Sequence, residues 1–267
     1  MSYGRYGSSV GRLPKEAFRP SAIFIGLVAL LAVSGWMAWA GFGDAQFNVF
    51  LFVAAGWTIS LCLHEYSHAL VAFKGGDDDI AHRGYLTLNP LKYSHPLLSI
   101  VLPLVFVILG GIGLPGGAVW VNHGAIRSKL VDSLISFAGP AMNLVLAILL
   151  VLPFTFGLDD GSHPVFFAGL AFLAYLQLMA SVLNFVPMPG VDGGNLIYPW
   201  LSPQWQRGFN HMAPWGMLIL IALLWSPVIS GYFFELVDWL AGLIGLPTGQ
   251  AGDGLRLFRF WNRDAYY

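Results

Sequence analysis

The sequence predicts an all-α polytopic membrane protein of about six transmembrane helices, together with a re-entrant loop or β-hairpin. Three observations carry that prediction. Only 10% of the 267 residues are charged, against about 25% in a soluble domain. Hydrophobic residues make up 57% of the chain, more than a large core alone accounts for. The apolar residues also gather into long runs, and a spanning helix needs ~20 of them.

In chain order the runs are Ser21–Gly41, Phe47–Phe73, Pro96–Leu114, Ser133–Phe156, Val165–Val186 and Ala213–Tyr232, with a shorter run, Phe233–Leu246, directly after. Pro96–Leu114 departs from a simple span. Pro103, the stretch LGGIGLPGG and the strand-like AVWV after it suit residues 96–121 entering the membrane and returning. Such backbone is tolerated at that depth only under a cover of protein or beside a wet cavity. The first twenty residues are polar, basic and rich in Gly and Ser. They are long for the head of a signal peptide, and the run that follows exceeds a signal core of ~7–15 residues. The expected organisation is a disordered cytoplasmic tail over 1–20, one membrane domain over 21–246 with its core in 47–200, and a cytoplasmic tail over 247–267.

The net charge of −1 offers no basic field for nucleic acid. A single cysteine, Cys62, forms no internal disulfide; it lies nearly opposite His64 on a helix and reads as packing. The thirteen Lys and Arg residues set orientation. All fall on one side if residues 96–121 are re-entrant and Phe233–Leu246 crosses back, which is the arrangement that obeys the positive-inside rule. The expectation is an integral protein of a bacterial-type cell membrane with both termini cytoplasmic and the lipid bilayer as its surroundings. Nothing in the sequence sets an oligomeric state.

The second run carries His64-Glu65-Tyr66-Ser67-His68, an HExxH pattern. Residues four apart share a helix face, so both imidazoles reach one ion. Glu65 points about 100° away from His64, where it can reach a water beside the ion without being a ligand, as in zinc hydrolases. With seven His and three Glu in the chain, chance supplies roughly 0.002 such patterns. Ionisable groups inside a span cost roughly 2.5 kcal/mol or more each, which argues for function. His64 precedes Lys74 by ten residues, or ~15 Å of helix. That puts the site within the bilayer on the cytoplasmic side.

Two histidines leave a catalytic zinc one protein ligand short. His82, His95, His123, His163 and His211 sit in loops or at span edges and read as surface residues; Glu235 and Asp238 stay unassigned. Asp192 is favoured. It lies in LNFVPMPGVDGGNLIYPW, where Pro187 and Pro189 break the end of the fifth run and free backbone groups that need a cavity or cover. Gly193 and Gly194 permit close backbone approach there.

These motifs together resemble the site-2 protease family of intramembrane zinc metalloproteases. HEYSH matches its first element, FAGPAMN (Phe137–Asn143) its Gly-Pro-x-x-Asn element, and NFVPMPGVDGG its Asn-x-x-Pro…Asp-Gly element. Val191 stands where the family usually has Leu. The resemblance implies one Zn2+ held by His64, His68 and Asp192, with Glu65 as catalytic base, and places Asn184 and Asn143 as substrate or oxyanion support. Helix capping is an equal reading of Asn184. It further implies hydrolysis of a peptide bond in or near a transmembrane segment of a membrane protein substrate. The chain shows neither a PDZ nor a CBS module. An extended substrate could add to an edge at GYLTL or GGAVWV. A membrane metal transporter or sensor is the alternative, but the polar residues toward the outer side, Asp44, Asp159 and Asp160, lie in loops. A catalytically dead scaffold would not need Glu65.

Overall fold

The structure, a computed structural model, describes residues 17–93, 105 and 119–261. The expected re-entrant segment 96–121 therefore lies mostly outside the described residues, as does most of the expected N-terminal tail. Ten α-helices follow in order among them: α1 (Ala22–Ala40), α2 (Ala45–Gly75), α3 (Asp79–Arg83), α4 (Lys129–Thr155), α5 (Pro164–Asn184), α6 (Asp192–Ile197), α7 (Pro203–Met212), α8 (Gly216–Trp225), α9 (Pro227–Ile244) and α10 (Thr248–Phe258). The described residues hold six stretches long and apolar enough to span a membrane. The all-α polytopic class is borne out.

The helix limits follow from local chemistry. Ser21, Asp44 and Ser128 cap α1, α2 and α4 by accepting from the amides of Phe24, Phe47 and Val131, which satisfies otherwise orphaned N–H groups. Gly41 ends α1 at φ 66° and Gly76 ends α2 at φ 120°, backbone that glycine adopts without strain. The 31 residues of α2 reach ~46 Å, longer than a ~30 Å hydrocarbon core.

α5 is the central helix. It is buried along most of its length and packs against α2, α4 and α10, while α1 covers α2 from outside. Two ends of the bundle can be told apart. At the near end, where α2 finishes, Ser21 N donates to Thr87 O at 2.8 Å, Arg127 N to Gly75 O at 3.3 Å and Ser133 Oγ to Leu196 O at 2.7 Å. At the far end, His163 Nδ1 lies 2.8 Å from Trp39 O and Gln250 Nε2 donates to Asp159 Oδ2 at 2.6 Å.

Two expectations change here, for the segment after residue 246 and for GYLTL. The segment 247–267, expected to be a tail, supplies α10. Gly254 sits hard against the Ala168 carbonyl of α5, and Phe258 is fully buried against Phe50 and Phe172. The described ends of the chain also lie apart, with Ala17 in the near-end core and Phe260 edge-on to Phe47 at the far end. The reason is the break at Ser226-Pro227: α8 starts against Pro189 and Gly190 at the near end, and α9 finishes with Gly245 beside Thr155 at the far end. The last two apolar runs thus lead once from the near end to the far end of the bundle. Finally, GYLTL is no strand. Tyr85–Thr87 forms a 3-10 turn bracketed by Gly84 at φ 75° and Leu88 at φ 54°. Asp77 is 1% exposed and accepts from Asn122 N at 2.7 Å. This bond ties Asn122 to the end of α2.

Candidate metal centre

Four helices build the site. α2 presents His64 and His68 one turn apart, both buried, with their Nε2 atoms 3.0 Å apart. α6 starts at Asp192, whose Oδ2 lies 3.1 Å from His64 Nε2 and 3.3 Å from His68 Nε2. Tetrahedral ligands at ~2.0–2.1 Å from zinc sit about 3.3 Å from one another, so the three atoms are spaced as a shared ion requires. His64, His68 and Asp192 are the only group of its kind among the described residues.

Asp192 reaches the histidines because the chain turns sharply after α5. Gly190 adopts φ 92°. β-Carbons at Gly193 or Gly194 would run into the carbonyls of Val186 and Met188. The Ser133 hydroxyl then pins α6 to α4 through Leu196 O.

α4 orients and makes room. His68 Nδ1 lies 2.6 Å from Ile135 O. A backbone carbonyl only accepts, so Nδ1 carries the proton and Nε2 presents its lone pair to the centre. Pro140 lies inside α4 and supplies no N–H to the Ser136 carbonyl, which loosens the turn that carries Ile135. Gly139 faces the imidazoles: a β-carbon there would stand 2.5 Å from His64 Nε2 and overlap His68 Nε2. The missing side chain leaves a cradle for an ion between the rings and α4. Asp192 Oδ2, buried and without a hydrogen-bond donor, points to the same conclusion. The residues present fit zinc.

Glu65 is 2% exposed, hydrogen-bonds the backbone of Val119, and keeps Oε2 without a partner. It adjoins the trio without joining it, as the HExxH spacing predicts. Asn143, expected as substrate or oxyanion support, contacts His64 directly. Its oxygen faces His64 Nδ1 at 2.5 Å and its nitrogen donates to Gln177 Oε1 at 2.8 Å, so both ends of the amide are engaged behind the histidine. Asn184 donates to Ala180 O on its own helix at 3.0 Å, the capping interaction. His123 pairs with Asp132, and His163 stacks on Trp39. Asp238 accepts from Tyr175. Cys62 is buried packing. Gly139 falls within the FAGPAMN motif, which does not reveal the cradle; Ile135, Gln177 and Ser60 belong to no motif. A side-chain amide deep in an apolar span, as at Gln177, was the available signal.

No family model matches the chain, and no solved structure matches it. Curated relatives do. The chain is 47% identical over 252 residues to the candidate zinc metalloprotease Rip2 of Mycobacterium tuberculosis, covering 93% of this chain and 96% of that one. Rip2 of Mycolicibacterium smegmatis is 44% identical over 252 residues. The candidate zinc metalloprotease YwhC of Bacillus subtilis is 30% identical over 189 residues, 67% of this chain and 83% of its own length. Identity at this level, sustained over nearly the whole length of the Rip2 proteins, places the chain in the site-2 protease family of intramembrane zinc metalloproteases.

Proposed function

We propose that His64, His68 and Asp192 hold one zinc ion and that Glu65 moves the proton in hydrolysis of a peptide bond. The substrate in this reading is a membrane protein cut in or next to its transmembrane segment. The observation that carries the reading is the meeting of three ligand atoms, 3.0, 3.1 and 3.3 Å apart, over the space that Gly139 leaves. Zinc, when bound, supplies Lewis acidity toward a carbonyl oxygen and toward water. Glu65 takes the proton of the attacking water at Oε2 and delivers it to the leaving nitrogen. The Val119 backbone holds the other side of that carboxylate. An amide carries two N–H groups, so Asn184 keeps one for a substrate oxygen after serving Ala180. With GYLTL folded as a turn, Val119–Val121 beside Glu65 is the edge left for an extended substrate.

The same reading makes α1 through α10 a single membrane domain. Its near end faces the cytoplasm, because Arg19, Lys74, Arg83, Lys92, Arg127, Lys129 and Arg207 gather there and cytoplasmic loops carry the excess of Lys and Arg. Arg256 and Arg259 on and after α10 then lie on the other side. Single cysteines introduced at Ser162 and Gln250 are expected to react with an impermeant maleimide from the same face of intact cells, and one at Asp78 only after lysis. Labelling of Asp78→Cys and Gln250→Cys from one face would refute this arrangement.

The metal reading is tested on the chain purified in detergent. Wild type is expected to carry one zinc ion and to cut single-span peptides after reconstitution. Asp192→Ala is expected to lower zinc affinity by more than about 100-fold, since even the partners of metal ligands are worth 10–100-fold. Full zinc retention in that variant would remove Asp192 from the ligand set.

A further inference from the structure

We infer that Gln177 and Ser60 are positioning residues that set which ring nitrogen of His64 carries its proton. The inference rests on the metal reading above. Behind His64 runs a chain of four buried groups from three helices. His64 Nδ1 lies 2.5 Å from Asn143 Oδ1, and Asn143 Nδ2 donates to Gln177 Oε1 at 2.8 Å. Gln177 Nε2 donates to Ser60 Oγ at 2.8 Å, and Ser60 Oγ donates to Trp57 O at 2.7 Å. Gln177, Asn143 and Ser60 are 0%, 1% and 3% exposed.

The direction of this relay is read from its far end. The Trp57 carbonyl can only accept, and a hydroxyl has one proton to give. Ser60 spends that proton on Trp57, so its oxygen receives from Gln177, and the Gln177 end nearest Ser60 is NH2. The Gln177 carbonyl therefore faces Asn143, which must present its own NH2 to it. That leaves the Asn143 carbonyl toward His64, and Nδ1 becomes the donor. Nε2 is then the lone pair aimed at His68 and Asp192. Reversed polarity would give up the Ser60–Trp57 bond and place an N–H between His64 and Asp192, where a cation needs a lone pair. His68 takes its tautomer from the Ile135 backbone directly. His64 has an amide neighbour that could face either way, so its tautomer depends on Gln177 and Ser60.

The test measures zinc affinity by competition with a chromophoric chelator, and Co2+ absorption at the site, on the full chain in detergent. Gln177→Met keeps the length of the side chain but offers Asn143 no acceptor; affinity is expected to fall about 10–100-fold. Gln177→Glu, as the neutral acid, presents a carbonyl to Asn143 and an O–H to Ser60, so affinity is expected to stay within about threefold. Equal affinity of Gln177→Met and wild type overturns the inference, as does an equal loss in both variants, which would mark Gln177 as packing only. Should Gln177→Met fail to fold by its circular dichroism, Ser60→Ala decides. A two- to tenfold loss there supports the relay, and unchanged affinity refutes it. Absence of zinc binding by wild type is a different result, which removes the metal reading together with this one.

Discussion

Glu65→Gln is expected to cut single-turnover peptide cleavage by about 10²–10⁴-fold while zinc content stays at the wild-type level. Glutamine has the size of glutamate and can hydrogen-bond the Val119 backbone, but it cannot take a proton. The loss falls on the chemical step because Glu65 sits beside the trio and contributes no atom to it. Its Oε2 is already desolvated and unpartnered, so little reorganisation stands between the resting site and proton uptake. In cells, the same variant is expected to accumulate uncut single-span proteins relative to the active chain. Undiminished cleavage by Glu65→Gln would take the residue out of the mechanism, and loss of zinc together with activity would make it structural.

Gly139→Ala is expected to abolish zinc binding, with more than about 100-fold loss of affinity, and activity with it. The added methyl falls between the two Nε2 atoms, in the space an ion would use. Alanine is the better helix former by up to ~1 kcal/mol, so helix content should not suffer. The variant thus separates fold from metal binding: normal far-ultraviolet circular dichroism with an empty site. Wild-type affinity in Gly139→Ala would mean that the ion sits away from α4, and the ligand geometry argued above would fail.

The histidine face was legible because it is local. Spacing i, i+4 on an uninterrupted apolar helix leaves no freedom about which side the rings share. Asp192 was legible for another reason, since the prolines around it announce backbone that must be covered. Gly139 could not be read in this way. Its contribution is a side chain that is absent, which acquires meaning only when α4 lies against α2. The Asn143 amide stands out within FAGPAMN, but its hold on His64 does not, because its partner Gln177 lies 34 positions away and Ser60 a further step across α2. α10 was missed on composition. TGQAGDGLRLF is polar and glycine-rich, and its helix is secured by tertiary contact, with Gly254 admitting the Ala168 carbonyl. The charge rule weighs Arg256, Arg259 and Arg263 as parts of a loose tail, whereas Arg256 belongs to a docked helix.

The proposed ligands come from positions 64, 68 and 192, on either side of the whole α4–α5 hairpin. A cation gripped by all three closes a long loop of chain, and little chain entropy has to be given up for it once the hairpin has packed. Ion and scaffold are then thermodynamically linked. Whatever sets zinc supply around the cell also sets how firmly the first and last thirds of this polypeptide are riveted together.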